Sequence, residues 1–375
     1  MPPPPDDLLR RTLDGLEPYR PGTSVGEVRA RFGISDPVKL SQNENPLGTS
    51  PRALAALRAV DSLSVYVEDD HRELKARLGE RYGLAGDAVI LGHGSNELVQ
   101  LAFTAFIDPG DEAVMATPTF SLFRKNAQLF GARAVQVPLD DGVHDLPAML
   151  DAVTPRTRLV MVCDPNNPTG TRVERSAFLG FAGALPPGVL LVIDQAYREY
   201  MDSGATDGVD VLKSRPETLV LRTASKIYGL AAVRFGYGYA SPAVIESMNR
   251  VRLPFNVARP SAAAMLAALD DDEFVARSIE NNELGKRYLF TEFARLGVHV
   301  YPSSANFLAV GVPVTADEAY IALLRRGVIV RSGDGLGLPR YLRVTVGTPA
   351  ENQAFVAAFE AALEGWRTHV SPAAC

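Results

Sequence analysis

From about Gly48 onward, short apolar runs alternate with segments of helical period, and this alternation limits the possible folds more than any other feature of the chain. The runs are Ala88 to Leu91, Glu112 to Met115, Ala134 to Val137, Leu159 to Cys163, Val189 to Ile193 and Leu219 to Leu221. Strands that are apolar on both faces belong to parallel sheets covered by helices on each side. The pattern therefore predicts an α/β domain with a mostly parallel central sheet flanked by helices. Most runs close with Gly, Pro, Asp, Asn or Ser, residues that turn the chain at the carboxyl edge of such a sheet. Ligands of open α/β sheets bind at that edge.

After about Pro254 the pattern changes. A long helical stretch, Ser261 to Leu296, precedes three segments readable as strands, Phe307 to Val310, Val328 to Arg331 and Leu342 to Val346. This predicts a smaller α+β domain. The expected division is an N-terminal arm over 1–35, a large ligand-binding α/β domain over 36–253 and a small α+β domain over 254–375. The arm carries Pro18-Tyr19-Arg20-Pro21-Gly22, which cannot continue a helix, and is expected to lie across another surface such as a partner subunit.

With 375 residues, 46% hydrophobic and 22% charged, the chain is long enough for more than one core. Its formal charge of −6 argues against non-specific nucleic-acid binding, so any anionic ligand needs local positive charge. Cys163 and Cys375 are too few for a disulfide framework or a four-ligand zinc site, and Cys163, inside an apolar run, reads as core. His71, His93, His144, His299 and His369 have no metal-ligand spacing, so no metal is expected. The proline run Met1 to Pro5, followed by Asp6 and Asp7, lacks the basic start of a signal peptide. No apolar run approaches the ~18 residues of a membrane span. A cytoplasmic location is the expectation.

The chemistry concentrates at the ends of the apolar runs. Only six of the 38 Lys and Arg residues are Lys, so Lys226, in Thr223-Ala224-Ser225-Lys226-Ile227-Tyr228-Gly229-Leu230, stands out. A lysine amine deprotonates and attacks an aldehyde, which a guanidinium cannot do. Asp194 directly follows Val189 to Ile193, where an unpaired carboxylate is expensive to bury; it reads either as a helix cap or as the partner of a cationic ring nitrogen. Tyr197 lies three residues on. Asp164-Pro165-Asn166-Asn167-Pro168-Thr169-Gly170 forms a turn that brings the Asn167 amide to the same edge. Gly92-His93-Gly94-Ser95-Asn96-Glu97 opens a helical pattern, and glycine beside exposed N–H groups suits a phosphate. It lacks the spacing of a dinucleotide fingerprint, so a simple phosphate cradle completed by Ser225 and Arg234 is the better reading. Arg343 sits inside the alternating strand Leu342 to Val346, a position that calls for an anion, either an internal carboxylate or a substrate's. Arg331 is a second candidate.

Taken together, Asn167-Pro168-Thr169-Gly170, Asp194 with Tyr197, and Ser225-Lys226 followed by Arg234 resemble the class I and II aminotransferases in order and spacing along nearly the whole chain. Within these, Pro18 to Gly22, Leu40-Ser41-Gln42-Asn43-Glu44-Asn45-Pro46-Leu47-Gly48 and Arg343-Val344-Thr345-Val346-Gly347 are most similar to the histidinol-phosphate aminotransferase family. The resemblance implies the fold type I architecture of pyridoxal-phosphate-dependent transferases, pyridoxal 5'-phosphate as cofactor, and a homodimer with shared active sites. It implies that Lys226 carries the cofactor, Asp194 pairs with the pyridine nitrogen, and Asn167 and Tyr197 hold the phenolate oxygen. Ser95, Asn96, Thr223, Ser225 and Arg234 would surround the phosphate, with Tyr66 reaching in from the other subunit and Phe120 stacking on the ring. Arg343 would grip the substrate carboxylate, while Tyr19 and Arg331 would lie near the substrate's own phosphate. The implied donor is L-histidinol phosphate and the acceptor 2-oxoglutarate, by a ping-pong cycle in histidine biosynthesis.

The sequence departs from the family pattern at Gln195, Phe120, Val67 and Ala232, where Glu, Tyr, Pro and Gly are usual. Asp334, in the loop Ser332 to Gly337, would repel a substrate phosphate if it pointed inward. Transamination of aromatic or other amino acids, decarboxylation of a phospho-amino acid, and ligand sensing without catalysis remain open alternatives.

Overall fold

The computed structural model describes residues 8–18, 22–67 and 70–369. The described N-terminal residues lie on their own chain. Arg10, Asp14 and Glu17 bond to Leu129, Gln128 and Lys125, on or beside the helix Leu122–Leu129. A capping box between Ser24 and Glu27 starts the helix Val25–Phe32, and Gly33, at φ 68°, ends it. That helix buries Val28 against Leu324 and Ile329. Tyr19, Arg20 and Pro21 lie outside the described residues.

The first strand, β1 (Val38–Lys39), pairs in parallel with a C-terminal strand, Val328–Ile329, before the chain enters its large sheet. The apolar runs then become β2 (Val89–Gly92), β3 (Glu112–Thr117), β4 (Arg133–Asp140), β6 (Thr157–Cys163), β7 (Leu190–Asp194) and β8 (Thr218–Thr223), with a short β5 (Val143–His144) after β4. The sheet is completed by β9 (Gly236–Ala240), whose Gly-Tyr-Gly-Tyr-Ala sequence offered no apolar run to detect. The order is β2-β9-β8-β7-β6-β3-β4-β5, parallel from β8 to β4, with β9 and β5 antiparallel to their neighbours. Side chains alternate between two covered faces. Val114, Val160, Val162, Leu191 and Ile193 pack with Phe178 and Phe181, whereas Met115, Leu159, Met161, Val192 and Leu219 pack with Leu98, Phe103 and Phe123. Cys163 is buried among the second set.

The helical stretch expected from Ser261 to Leu296 is two helices, Arg259–Ala268 and Asp272–Arg295. Asp271 breaks it by capping the second: its Oδ1 accepts from Phe274 N, and its Oδ2 accepts from the Ser50 hydroxyl at 2.5 Å. Ala262, Met265 and Ala268 of the first helix share a core with Ala53, Val89 and Tyr237, so packing continues past Pro254 without a break.

The strands β10 (Phe307–Gly311) and β13 (Tyr341–Thr345) pair antiparallel. The expected strand Val328 to Arg331 is divided: β11 (Val328–Ile329) joins β1, and after Val330, β12 (Arg331–Ser332) joins β13. Leu308, Val310, Leu342 and Val344 bury against Leu289, Phe293, Phe355 and Phe359 of the two long C-terminal helices. Among the described residues, no helix is long and apolar enough to cross a membrane.

Candidate active site

β2 and the parallel strands β3, β6, β7 and β8 end at one edge of the large sheet, and each delivers part of a polar cluster there. Lys226 follows β8 by three residues and is partly buried, its Nζ donating to Gln42 O at 3.1 Å. Burial lowers its pKa to about 8, with the Arg343 and Arg234 charges pushing the same way. Asp194 ends β7, next in register to Leu221 of β8, and is buried. Its Oδ1 accepts from Ala196 N at 3.1 Å, and no cationic side chain bonds it among the described residues. Burial raises its pKa to about 6, partly offset by that hydrogen bond and by Lys226. A helix-cap role for Asp194 is not seen; the 3-10 turn that follows begins at Arg198.

Beside them lies a recess built for an anion. The helix Ser95–Phe106 begins after Gly94, at φ 77°, and no side chain caps its first N–H groups. Arg234, in the left-handed region at φ 56°, sits so close that a Cβ on Gly94 would lie 2.5 Å from Nη2. A Cβ on Gly236 would collide with the Ser95 backbone nitrogen, so both glycines are needed for this close approach. Thr223 Oγ1 donates to Ser225 Oγ at 2.9 Å, completing a group of hydroxyls, guanidinium and backbone N–H. Asn96 occupies the helix's first turn.

The third group joins the two sheets. Arg343, on β13, donates to Asn167 Oδ1 at 2.8 Å and to Ser41 O at 2.9 Å. Both of these acceptors are uncharged, one a side-chain amide oxygen and the other a backbone carbonyl. Tyr197 is buried, its ring edge-on to Phe307 with centroids 5.2 Å apart and 5.8 Å from Lys226 Nζ. Burial pushes its phenol up to about 12. The hydroxyl accepts from Asn43 Nδ2 at 2.9 Å. Asn43, Thr345 and Asn306 are buried together here; Asn43 and Thr345 lie in segments that carry the family resemblance, but a polar loop or strand end without periodicity assigned none of the three a role.

Phe120 sits beyond β3, edge-on to Phe123 with centroids 5.7 Å apart, and the neighbouring Thr119 donates to Asn166 Oδ1 at 2.7 Å. Arg331 faces Arg343 across β12 and β13, and its guanidinium lies beside Gly22. Asp334 turns away: its Oδ2 accepts from Asp317 N at 3.0 Å, at the start of the helix Ala316–Leu324, which removes the objection that it repels a phosphate. Gln195 is buried, donating to Thr206 O and accepting from Gly208 N, both at 2.9 Å; a glutamate at this position lacks the donor for Thr206. Tyr66 stands apart from the cluster, exposed and stacked on Phe255 with centroids 4.4 Å apart. Tyr19 lies outside the described residues.

Comparison with known proteins decides the family. The sequence model of aminotransferase class I and II matches residues 35–359. The chain belongs to the class I and II aminotransferases. Among the similar members of this family, the histidinol-phosphate aminotransferase of Moorella thermoacetica is 43% identical over 94% of this chain and 92% of its own. Histidinol-phosphate aminotransferase 2 of Carboxydothermus hydrogenoformans is 41% identical over 95% and 99%. The crystal structure of the Sinorhizobium meliloti histidinol-phosphate aminotransferase in complex with pyridoxal-5'-phosphate superposes with a TM-score of 0.85 at 26% identity, covering 96% of this chain and 98% of that one. The α/β architecture with a mostly parallel central sheet is thus that of a pyridoxal-phosphate-dependent aminotransferase.

Proposed function

We propose that this aminotransferase uses pyridoxal 5'-phosphate to pass the amino group of L-histidinol phosphate to 2-oxoglutarate. The observation that carries the donor assignment is the register of Arg331 against Arg343. Residues directly opposite in an antiparallel pair project from the same face, so both cationic side chains leave the strands on one side, an arrangement that suits a shared anion. L-Histidinol phosphate has no carboxylate, and its phosphate dianion is the group such a pair suits. The 41–43% identity to relatives named for this substrate supports the same assignment.

The residues fit the cofactor. A buried carboxylate without a cationic partner suits the pyridine nitrogen, a glycine-lined recess at a helix start suits the phosphate, and a lysine with a depressed pKa suits the aldehyde. When bound, pyridoxal phosphate supplies an aldehyde that condenses with amines and a ring that accepts the electron pair left at the amine-bearing carbon. In this reading Lys226 holds the cofactor and, when displaced by the donor's amine, takes the proton from the donor's amine-bearing carbon as general base. Asp194 keeps the ring nitrogen protonated. Asn167 and Tyr197 donate to the ring oxygen, Phe120 covers the ring face, and Ser95, Asn96, Thr223, Ser225 and Arg234 hold the phosphate. Arg343 and Arg331, with Tyr19, orient the donor's phosphate, and Arg343 grips the carboxylate of 2-oxoglutarate in the second half-reaction.

Tyr66, with Leu63, Val65, Leu253 and Phe255, leaves apolar side chains exposed away from its own chain's cluster, which supports a homodimer in which Tyr66 reaches the partner's phosphate recess. A cytoplasmic location belongs to the same reading, as does the division into arm, cofactor domain 36–253 and small domain 254–375, with the helix Arg259–Ala268 packed on the core of the cofactor domain. The test is a half-reaction: L-histidinol phosphate added to the yellow holoenzyme should bleach it rapidly, and phenylalanine slowly. Fast bleaching by phenylalanine with none by L-histidinol phosphate contradicts the donor assignment.

A further inference from the structure

We infer that Asn43 is a positioning residue for amino transfer, whose amide directs the Tyr197 hydroxyl proton and ties it, through Thr345, to the strand that carries Arg343. The inference rests on the functional reading above and adds a residue to it.

Asn43 is buried and holds a left-handed backbone, φ 54°, an uncommon conformation for a residue with a side chain. Thr345 stands two residues after Arg343 on β13. Its hydroxyl accepts from Asn43 N at 2.9 Å and donates to Asn43 Oδ1 at 3.3 Å. With Oδ1 engaged by a donor, the amide NH2 must face the other way, and Nδ2 lies 2.9 Å from the Tyr197 hydroxyl. Asn306 Nδ2 donates to Asn43 O at 3.1 Å and fixes the backbone from the start of β10.

A phenol has one proton. Because the Tyr197 oxygen accepts from Asn43, its own proton is left for another acceptor. Accepting one hydrogen bond also strengthens the bond a hydroxyl donates. The groups facing Tyr197 are Arg343, Asp194 and the Cys163 thiol, together with Lys226 above its ring. With cofactor bound, the acceptor for that proton is the ring oxygen. Loss of the Asn43 amide weakens Tyr197's donation, leaves more negative charge on that oxygen, and raises the proton affinity of the nitrogen joining Lys226 to the cofactor.

The test is a spectrophotometric pH titration of holoenzyme, without substrate, for wild type, N43G, T345V, Y197F and N43G/Y197F. Glycine keeps the left-handed backbone without strain, so N43G removes the amide alone. N43G should raise the pKa read from the cofactor band by roughly half a unit to one unit, the equivalent of one hydrogen bond. T345V, which frees the amide to rotate, should raise it less. Y197F should raise it more, and adding N43G to Y197F should change nothing further. An N43G variant with native circular dichroism and an unshifted pKa overturns the inference, as does an equal shift in the Y197F background. A wild type that shows no lysine-linked band at all sinks the functional reading and this inference with it.

Discussion

Nη1 of Arg343 lies 2.8 Å from Oδ1 of Asn167, so a strand of the C-terminal sheet is latched to the turn after β6 of the large sheet. An anionic substrate entering here competes with an uncharged amide for the guanidinium. The latch has one charged partner, whereas a guanidinium paired with a carboxylate or phosphate has two and can bond in bidentate fashion, so the anion displaces the amide.

Arg343→Ala should therefore reduce kcat/KM for both half-reactions by about 10- to 100-fold, the equivalent of one charge-assisted hydrogen bond. Arg331→Ala should act selectively. Steady-state kinetics with L-histidinol phosphate and with dephosphorylated L-histidinol measure the preference for the phosphate, and Arg331→Ala should shrink it. A preference unchanged by the substitution removes Arg331 from the donor site.

Asp194 gives a prediction about stability with a definite sign. Its pKa is raised from 3.8 to about 6 by burial, so between these values the folded chain binds the proton more tightly than the unfolded chain. Stability from this group is present below about pH 4 and declines as pH rises through about 6. Cofactor-free Asp194→Asn should accordingly melt a few degrees above cofactor-free wild type near pH 8, with a smaller gap near pH 5. With cofactor bound the order should reverse, because an amide cannot neutralise the ring cation. Melting curves at both pH values, with and without pyridoxal phosphate, read all four terms.

The Lys226 amine, lowered to about 8, should make cofactor capture by the apoenzyme accelerate with pH and level off above that value. Arg343 is the largest charged contributor to the lowering, so Arg343→Ala should move the midpoint upward and slow capture at neutral pH. Stopped-flow absorbance against pH checks both statements. A midpoint that moves downward means the amine is set by something other than burial and neighbouring cations.

Gly236→Ala drives a methyl into the Ser95 backbone and should widen the phosphate recess. Overpacking of this kind costs about 1–3 kcal/mol, so the cofactor's Kd should rise by roughly 10- to 100-fold. Fluorescence quenching on titration with pyridoxal phosphate measures it. Binding as tight as wild type means the recess does not hold the phosphate.

Much of the fold was legible because burial on both faces leaves uninterrupted apolar runs: six of them became strands of one sheet, ending where Asp194 and Lys226 begin. β9 escaped notice because its glycines and tyrosines carry no such run, and the Leu269-Asp270-Asp271 break was hidden inside a continuous helical period. The split at Val330 was invisible for a different reason, since the partner of a two-residue strand is chosen by tertiary packing. Charged and covalent chemistry was readable residue by residue. Asn43 was not, because an amide in a loop acquires its role only from Thr345, 302 positions away.

The most direct measurement reduces the holoenzyme with borohydride, digests it with trypsin and weighs the peptides. A single cofactor adduct on the peptide spanning 223–234, uncleaved at Lys226 and absent in Lys226→Ala, is the expected result. An adduct on any other lysine, or one that persists in Lys226→Ala, contradicts the account.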